Sequence, residues 1–170
     1  DILTVWGEMD GNPTFIVVVH WPSRIGGVKF TEPKRRASAR QLRKIVDSVM
    51  VENPATRIIV MGDMNDNPRN KSITEDLRAT ARLAAATDLY NPFAVARRGS
   101  SVYDGRWNQY DNIIVSQNIP LCAIDGRCRA KVYRHTSLLD QAGKPQPTYS
   151  GTNYMGGASD HLPVYIVIGK

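Results

Sequence analysis

The sequence predicts an α+β fold in which helices cover one face of a mixed or antiparallel sheet. Three observations carry that expectation. Two apolar, β-branched runs flank a group of turn residues near the start, a long stretch with three- and four-residue apolar spacing follows, and short apolar runs recur to the end. The implied order is ββαβαβ(β)β, and hairpin-like connections favour a mixed or antiparallel sheet over a purely parallel one.

The runs ILTVWGEM and FIVVVHW stand on either side of Asp10-Gly11-Asn12-Pro13. Turn formers between two β-branched runs spell a hairpin. After His20, WPSRIGG is punctuated as a loop. Pro33 suits a first helical turn, and Thr31 stands where a cap would. Ala39, Leu42, Ile45, Val46, Val49 and Met50 then mark one face of a helix to about residue 51, which Asn53-Pro54 ends. Arg57–Met61 reads as a strand. Ser72-Ile73-Thr74-Glu75 has the form of a capping box, and Ala/Leu-rich sequence to Ala86 extends it as a second helix. Residues 91–109 have loop character, and Tyr110–Ser116 reads as a strand. Residues 117–156 are irregular apart from a short strand near Ala130–Tyr133, and Leu162–Ile168 is the last strand. There is no internal repeat and no low-complexity tract.

At 170 residues, 42% hydrophobic and 22% charged, the chain fits one globular domain and is not of disordered composition. No apolar run approaches the ~18 residues of a membrane-spanning helix. The first residue is Asp1 and no signal-peptide pattern follows it, so Asp1 reads as a processing or cloning boundary. The compartment stays open, secreted and periplasmic locations included. The net charge is +6, and residues 24–44 concentrate it: Arg24, Lys29, Lys34, Arg35, Arg36, Arg40, Arg43 and Lys44 stand against Glu32 alone. Such a cluster either attracts nucleic acid or an anionic headgroup, or simply solvates a helix face, the commoner use. Cys122 and Cys128 flank AIDGR and are either a small disulfide loop or two small apolar thiols. With no CxxC pattern, a zinc site is not expected.

The chemistry gathers at strand ends. FIVVV runs into His20, IIVM into Gly62-Asp63-Met64-Asn65, Asp111 opens DNIIVS, and Ser159-Asp160-His161 precedes LPVYIVI. Singly, each is ordinary turn chemistry or a hydrogen-bonded structural histidine. Jointly they supply what hydrolysis of a phosphate ester needs. A hard divalent cation takes oxygen ligands and leaves positions for water and phosphate. A carboxylate orients and deprotonates the attacking water, and His or amide donors meet the charge developing on phosphorus. A carboxylate beside the histidine fixes its tautomer.

VVVHWPSR, IVMGDMND, YDNIIVS and SDHLPVY, in that order, resemble the motifs of the endonuclease/exonuclease/phosphatase (DNase I-like) superfamily. They span residues 14–168, and the G-D-x-N and S-D-H pair is the specific part. The resemblance implies a metal-dependent hydrolase of phosphate esters, most like the nuclease and phosphodiesterase branches, with Mg²⁺ (or Mn²⁺ or Ca²⁺) as cofactor. Asp63 looks like the carboxylate that activates water, and Asn65 like the amide that contacts the scissile phosphate or the metal. Asp160 resembles a metal ligand. His161 looks like the phosphate-contacting histidine with Asp111 as its orienting partner, and His20 resembles a second histidine donating to phosphate or the leaving group. Asp66 matches no such role and reads as loop chemistry. Arg24 and Arg106 are the substrate-phosphate contacts expected from the bordering loops, and Trp107 and Tyr110 are either stacking platforms or packing residues.

The resemblance also implies a fold larger than this sequence supplies, a four-layer α/β/β/α sandwich. Residues 1–170 correspond to its C-terminal part, and the N-terminal part, which carries an Asn and a metal-binding Glu, has no counterpart here. Glu8 is a poor substitute, because the hairpin places it at the opposite end from His20. One sheet face is therefore expected to lack its partner sheet, and the isolated chain is expected to self-associate and to hydrolyse little or nothing. A phosphomonoesterase, a lipid phosphodiesterase, and a non-catalytic binding module that keeps the fold are the alternatives; nucleic acid is one substrate class and a membrane span is not expected.

Overall fold

β1 (Ile2–Met9) and β2 (Asn12–His20) form the expected hairpin, with Leu3 opposite Val18 and Glu8 opposite Pro13. Asp10 and Gly11 take the turn at φ 51° and 74°, the left-handed backbone that a two-residue hairpin loop requires. The computed structural model describes residues 1–95, 99–124, 126 and 129–169. Cys128 lies outside the described residues, and so does its pairing with Cys122.

α1 (Val28–Glu52) carries the chain from β2 to β3 (Arg57–Asp63), which pairs parallel to β2. β8 (Asp111–Val115) runs antiparallel to β3 on its other side. The two-residue strands β4 (Ala79–Thr80) and β5 (Leu89–Tyr90) complete a six-stranded mixed sheet of order β1-β2-β3-β8-β5-β4. Two-stranded ribbons lie beside it: β6 (Ser101–Tyr103) with β7 (Arg106–Asn108), β9 (Ala130–Val132) with β12 (Val164–Ile166), and β10 (Tyr149–Ser150) with β11 (Asn153–Tyr154).

Side chains alternate across the strands and divide the core in two. On the helix side, Phe15, Val17, Val19, Ile58, Val60 and Ile114 pack with Ala39, Leu42, Val46 and Val49 of α1. On the other side, Ile59 and Val115 are covered by Ile119 and Leu121, with Ile166 and Ile168 packed against them. That second cover reaches Met9 and Ile16 but stops short of the rest of β1 and β2. Leu3 is 61%, Val5 48% and Val18 38% exposed, so an apolar strip of the sheet faces solvent.

Two expectations of the sequence need correction. α1 starts at Val28, not near Pro33; Gly27 precedes it, and the Thr31 hydroxyl donates to the Gly27 carbonyl at 2.9 Å instead of capping an N–H. The second helix, expected over residues 72–86, is a single π-type turn, Ser72–Asp76. Ser72 does not cap it, because its hydroxyl donates to Asp66 Oδ2 at 2.6 Å. Arg78 then adopts φ 60°, its guanidinium held by Asp88 at 2.9 Å, and the chain turns into β4. Polar anchors outside helical spacing override the local helical preference here. Ion pairs also absorb much of the basic cluster: Arg36 and Arg40 bind Asp76, Arg36 also reaches Glu75, and Arg43 pairs with Asp47 within α1. Among the described residues, no helix is long and apolar enough to cross a membrane.

Candidate active site

Strand register builds the site. His20 is level with Asp63 across the parallel β2–β3 pair, and Asp63 is level with Asp111 across the antiparallel β3–β8 pair. Residues level on neighbouring strands project from the same face, so all three stand in a row on the side away from α1. Gly62 makes the row compact. It sits at φ 134°, and a Cβ there would lie 2.0 Å from the Val19 carbonyl oxygen, so a side chain would force β2 and β3 apart. His161 joins from the last loop: an isolated bridge pairs it with Ser101, and the Leu162 N–H donates to the Ser100 carbonyl at 2.8 Å.

Each group is held by specific partners. His161 Nδ1 lies 2.8 Å from Asp111 Oδ2, and the Ser100 hydroxyl donates to that same oxygen. This arrangement directs the Nδ1 proton to Asp111 and leaves Nε2 for other partners. The hydrogen bond to Asp111 raises the His161 pKa above its ordinary value, with burial opposing and the charges of Asp111, Asp63 and Asp160 assisting. Asp63 Oδ1 accepts the Asn65 N–H at 2.8 Å, and His20 Nε2 lies 3.6 Å from Oδ2. Burial pushes the Asp63 carboxyl upward, opposed by the Asn65 hydrogen bond and reinforced by the charge of Asp111. The Asn65 amide donates to the Trp21 carbonyl at 3.0 Å and reaches Asp63 Oδ2 at 3.3 Å.

These groups border an open cleft of about 570 Å³ lined by His20, Asp63, Asn65, Asp111, Asp160 and His161, with Ser23, Ile25, Ser101, Tyr103 and Tyr110 among its walls. Six of the eight site residues read from the sequence therefore meet in one place. The two arginines do not. Arg24, expected to contact substrate phosphate, is buried, and its guanidinium is taken by Asp66 and the Asn65 carbonyl. Arg106 is exposed on β7 and does not line the cleft. Ser100, which orients Asp111, was missed; its only trace in the sequence is a Gly-Ser-Ser step ten residues upstream of strand β8.

Asp63, Asp111 and His161 offer ligand atoms within 4.8 Å of one another. For a hard cation such as Mg²⁺, which takes one or two carboxylates together with water and phosphate oxygens, the cleft's oxygen donors are suitable chemistry. His161 is not, because its Nδ1 is held by Asp111 and an imidazole nitrogen is a poor partner for Mg²⁺.

The strand ends of the mixed sheet thus gather carboxylates, an amide and a carboxylate-paired histidine in one cleft. The chain belongs to the endonuclease/exonuclease/phosphatase family, whose model matches residues 1–170. No curated protein sequence matched. Among solved structures, D. rerio TDP2 complexed with a single-strand DNA product is 13% identical with a TM-score of 0.59, over 99% of this chain and 61% of that one. Staphylococcus aureus beta toxin is 20% identical (TM-score 0.57; 96% and 55%), and the Bacteroides thetaiotaomicron mannosyl-6-phosphatase Bt3783 is 17% identical (TM-score 0.58; 95% and 53%). At these identities the likeness shows the fold, and the chain spans little more than half the length of each structure.

Proposed function

We propose that this chain carries the hydrolytic face of a divalent-metal-dependent phosphodiesterase with nuclease-like chemistry. The observation that carries the reading is the His20–Asp63–Asp111 row completed by the Asp111–His161 pair in one cleft. Asp63, held by the Asn65 N–H, orients a water and takes its proton. With both Asn65 amide contacts directed at Trp21 and Asp63, positioning Asp63 is the role its geometry supports best. His161, protonated through Asp111, and His20 donate to phosphate oxygens or the leaving group. Asp160 on the cleft wall would hold the metal, which when bound neutralises charge on the phosphate.

Charge favours a diester over a monoester. Among the described residues the cleft lining includes no Lys or Arg, and three carboxylates with two histidines accommodate a singly charged diester more easily than a dianionic monoester. The DNA-bound TDP2 neighbour agrees with a nucleic-acid diester. The exposed strip of Leu3, Val5 and Val18 lies on the same face as His20, and in this reading it receives a second sheet that brings a further acidic metal ligand. Glu8, at the far end of the hairpin, cannot take that part.

The test compares Mg²⁺-dependent hydrolysis of bis-p-nitrophenyl phosphate and p-nitrophenyl phosphate by the full-length protein. Preference for the diester, abolished by EDTA, is expected. Preference for the monoester would move the reading to a phosphomonoesterase, and no turnover of either would leave a binding module. Single-stranded DNA affinity that falls steeply with salt supports a nucleic-acid substrate; salt-independent binding argues against it. Sedimentation of residues 1–170 alone is expected to show self-association, and a monodisperse monomer would contradict the uncovered-face proposal.

A further inference from the structure

Asp66 follows the strand-end motif directly, yet it is no solvent-facing loop residue. It is 2% exposed and shares one oxygen with two arginines: Arg24 Nη2 at 2.6 Å and Arg35 Nε at 2.9 Å. Its other oxygen accepts the Ser72 hydroxyl. Arg35 is fully buried and extends the cluster to the Thr31 hydroxyl at 2.8 Å and the Val28 carbonyl at 3.3 Å. A buried ion cluster of this kind contributes little net stability over apolar packing, because desolvation offsets the attraction. What it does supply is fixed geometry.

That geometry is directed at the site. Arg24 Nε donates to the Asn65 carbonyl at 2.6 Å, and its guanidinium lies 4.8 Å above the ring of Tyr110, a wall of the cleft. Asn65 sits at φ 49°, a left-handed conformation that asparagine visits more readily than other residues with a side chain, so the partners of its peptide decide whether it is kept. In that conformation its N–H meets Asp63 Oδ1 and its amide meets the Trp21 carbonyl.

We propose that the buried Arg24–Asp66–Arg35 cluster is a positioning device that locks the Asn65 peptide in its left-handed conformation and thereby aims the Asp63 carboxylate. Arg24 and Asp66 are positioning residues, and they touch no substrate. The catalytic consequence rests on the hydrolase reading above, whereas the structural consequence does not.

The experiment uses the full-length protein with Asp66→Asn, the isosteric loss of charge, and Arg24→Lys, which keeps a cation beside Asp66 but removes the Nε donor. The second variant serves if the first does not fold. Two readouts are taken: amide hydrogen exchange at Asn65 by NMR, and kcat and KM for bis-p-nitrophenyl phosphate with Mg²⁺. Exchange at Asn65 is expected to speed up by about tenfold or more while Val60 and Ile114 stay protected. kcat is expected to fall about 10- to 100-fold with KM within about twofold, as for other supports of reactive groups. Asp47→Asn, which breaks an ion pair on α1 away from the cleft, serves as control and leaves both readouts unchanged. Unchanged Asn65 exchange in a folded variant overturns the proposal, and so does a loss confined to KM, which would make Arg24 a substrate contact after all. Faster exchange in a protein whose wild type hydrolyses nothing supports the positioning device and removes the hydrolase reading.

Discussion

The two faces of the central sheet are built from the same strands and do opposite work. Facing α1, Phe15, Val17, Val19, Ile58, Val60 and Ile114 form a closed core. One residue out of phase, Val18, Met61 and Ile113 lead along their strands to His20, Asp63 and Asp111, and at Leu3, Val5 and Val18 this face is bare. A period of two residues lets a single segment such as β3 anchor the fold with Ile58 and Val60 while presenting Asp63 to the cleft. Stability and chemistry are thereby separated by face, and each can be perturbed alone.

Gly62, where the two functions touch, is predicted to give the largest effect. Gly62→Ala adds a methyl group against the Val19 carbonyl at a backbone angle that alanine resists, and a loss of about 4 kcal/mol or more in urea unfolding is expected. On the closed face, Ile58→Ala should cost about 2–5 kcal/mol by the same measurement. On the bare face, Val5→Ser should change the unfolding free energy of the chain by no more than about 0.5 kcal/mol and weaken self-association in sedimentation. If Val5→Ser proves as damaging as Ile58→Ala, the contrast between the faces fails.

The pH dependence sharpens the same contrast without touching the core. In the proposed mechanism Asp63 must be ionised to take a proton, and burial raises its pKa, so the acid limb of kcat should lie above an aspartate's ordinary value. In the same mechanism His161 must be protonated to donate, and Asp111 raises its pKa, so activity should fall only as pH climbs through that raised value. Asp111→Asn is expected to lower the His161 pKa in an NMR titration and to move the alkaline limb down with it. The matching stability term from His161 is present below its unfolded pKa and is lost as pH rises through the folded one.

Much of this was legible from the chain. Alternation in FIVVV and IIVM located β2 and β3, and the polar residues ending them located the row of His20, Asp63 and Asp111, because register on neighbouring strands is a local consequence of pattern. What depends on distant partners was not legible. Ser72 looked like a helix cap until Asp66 claimed its hydroxyl, and Arg78 turned the expected helix aside by binding Asp88. Arg24 looked like a phosphate contact because nothing near it in sequence could reveal a buried carboxylate 42 residues away. Ser100 left no trace beyond its Gly-Ser-Ser step, its role being defined by Asp111 and by the loop that brings in His161.

The most direct test of the account is the rate of Asp63→Asn, which keeps the shape of the side chain and removes its capacity to accept a proton. In the full-length protein with Mg²⁺, hydrolysis of bis-p-nitrophenyl phosphate is expected to fall by about 10²–10⁴ while the thermal unfolding temperature stays within a few degrees of wild type. A variant that hydrolyses the diester within about twofold of the wild-type rate would contradict the assignment of Asp63 as the water-activating carboxylate, and with it the reading of the strand-end cluster as a hydrolytic site.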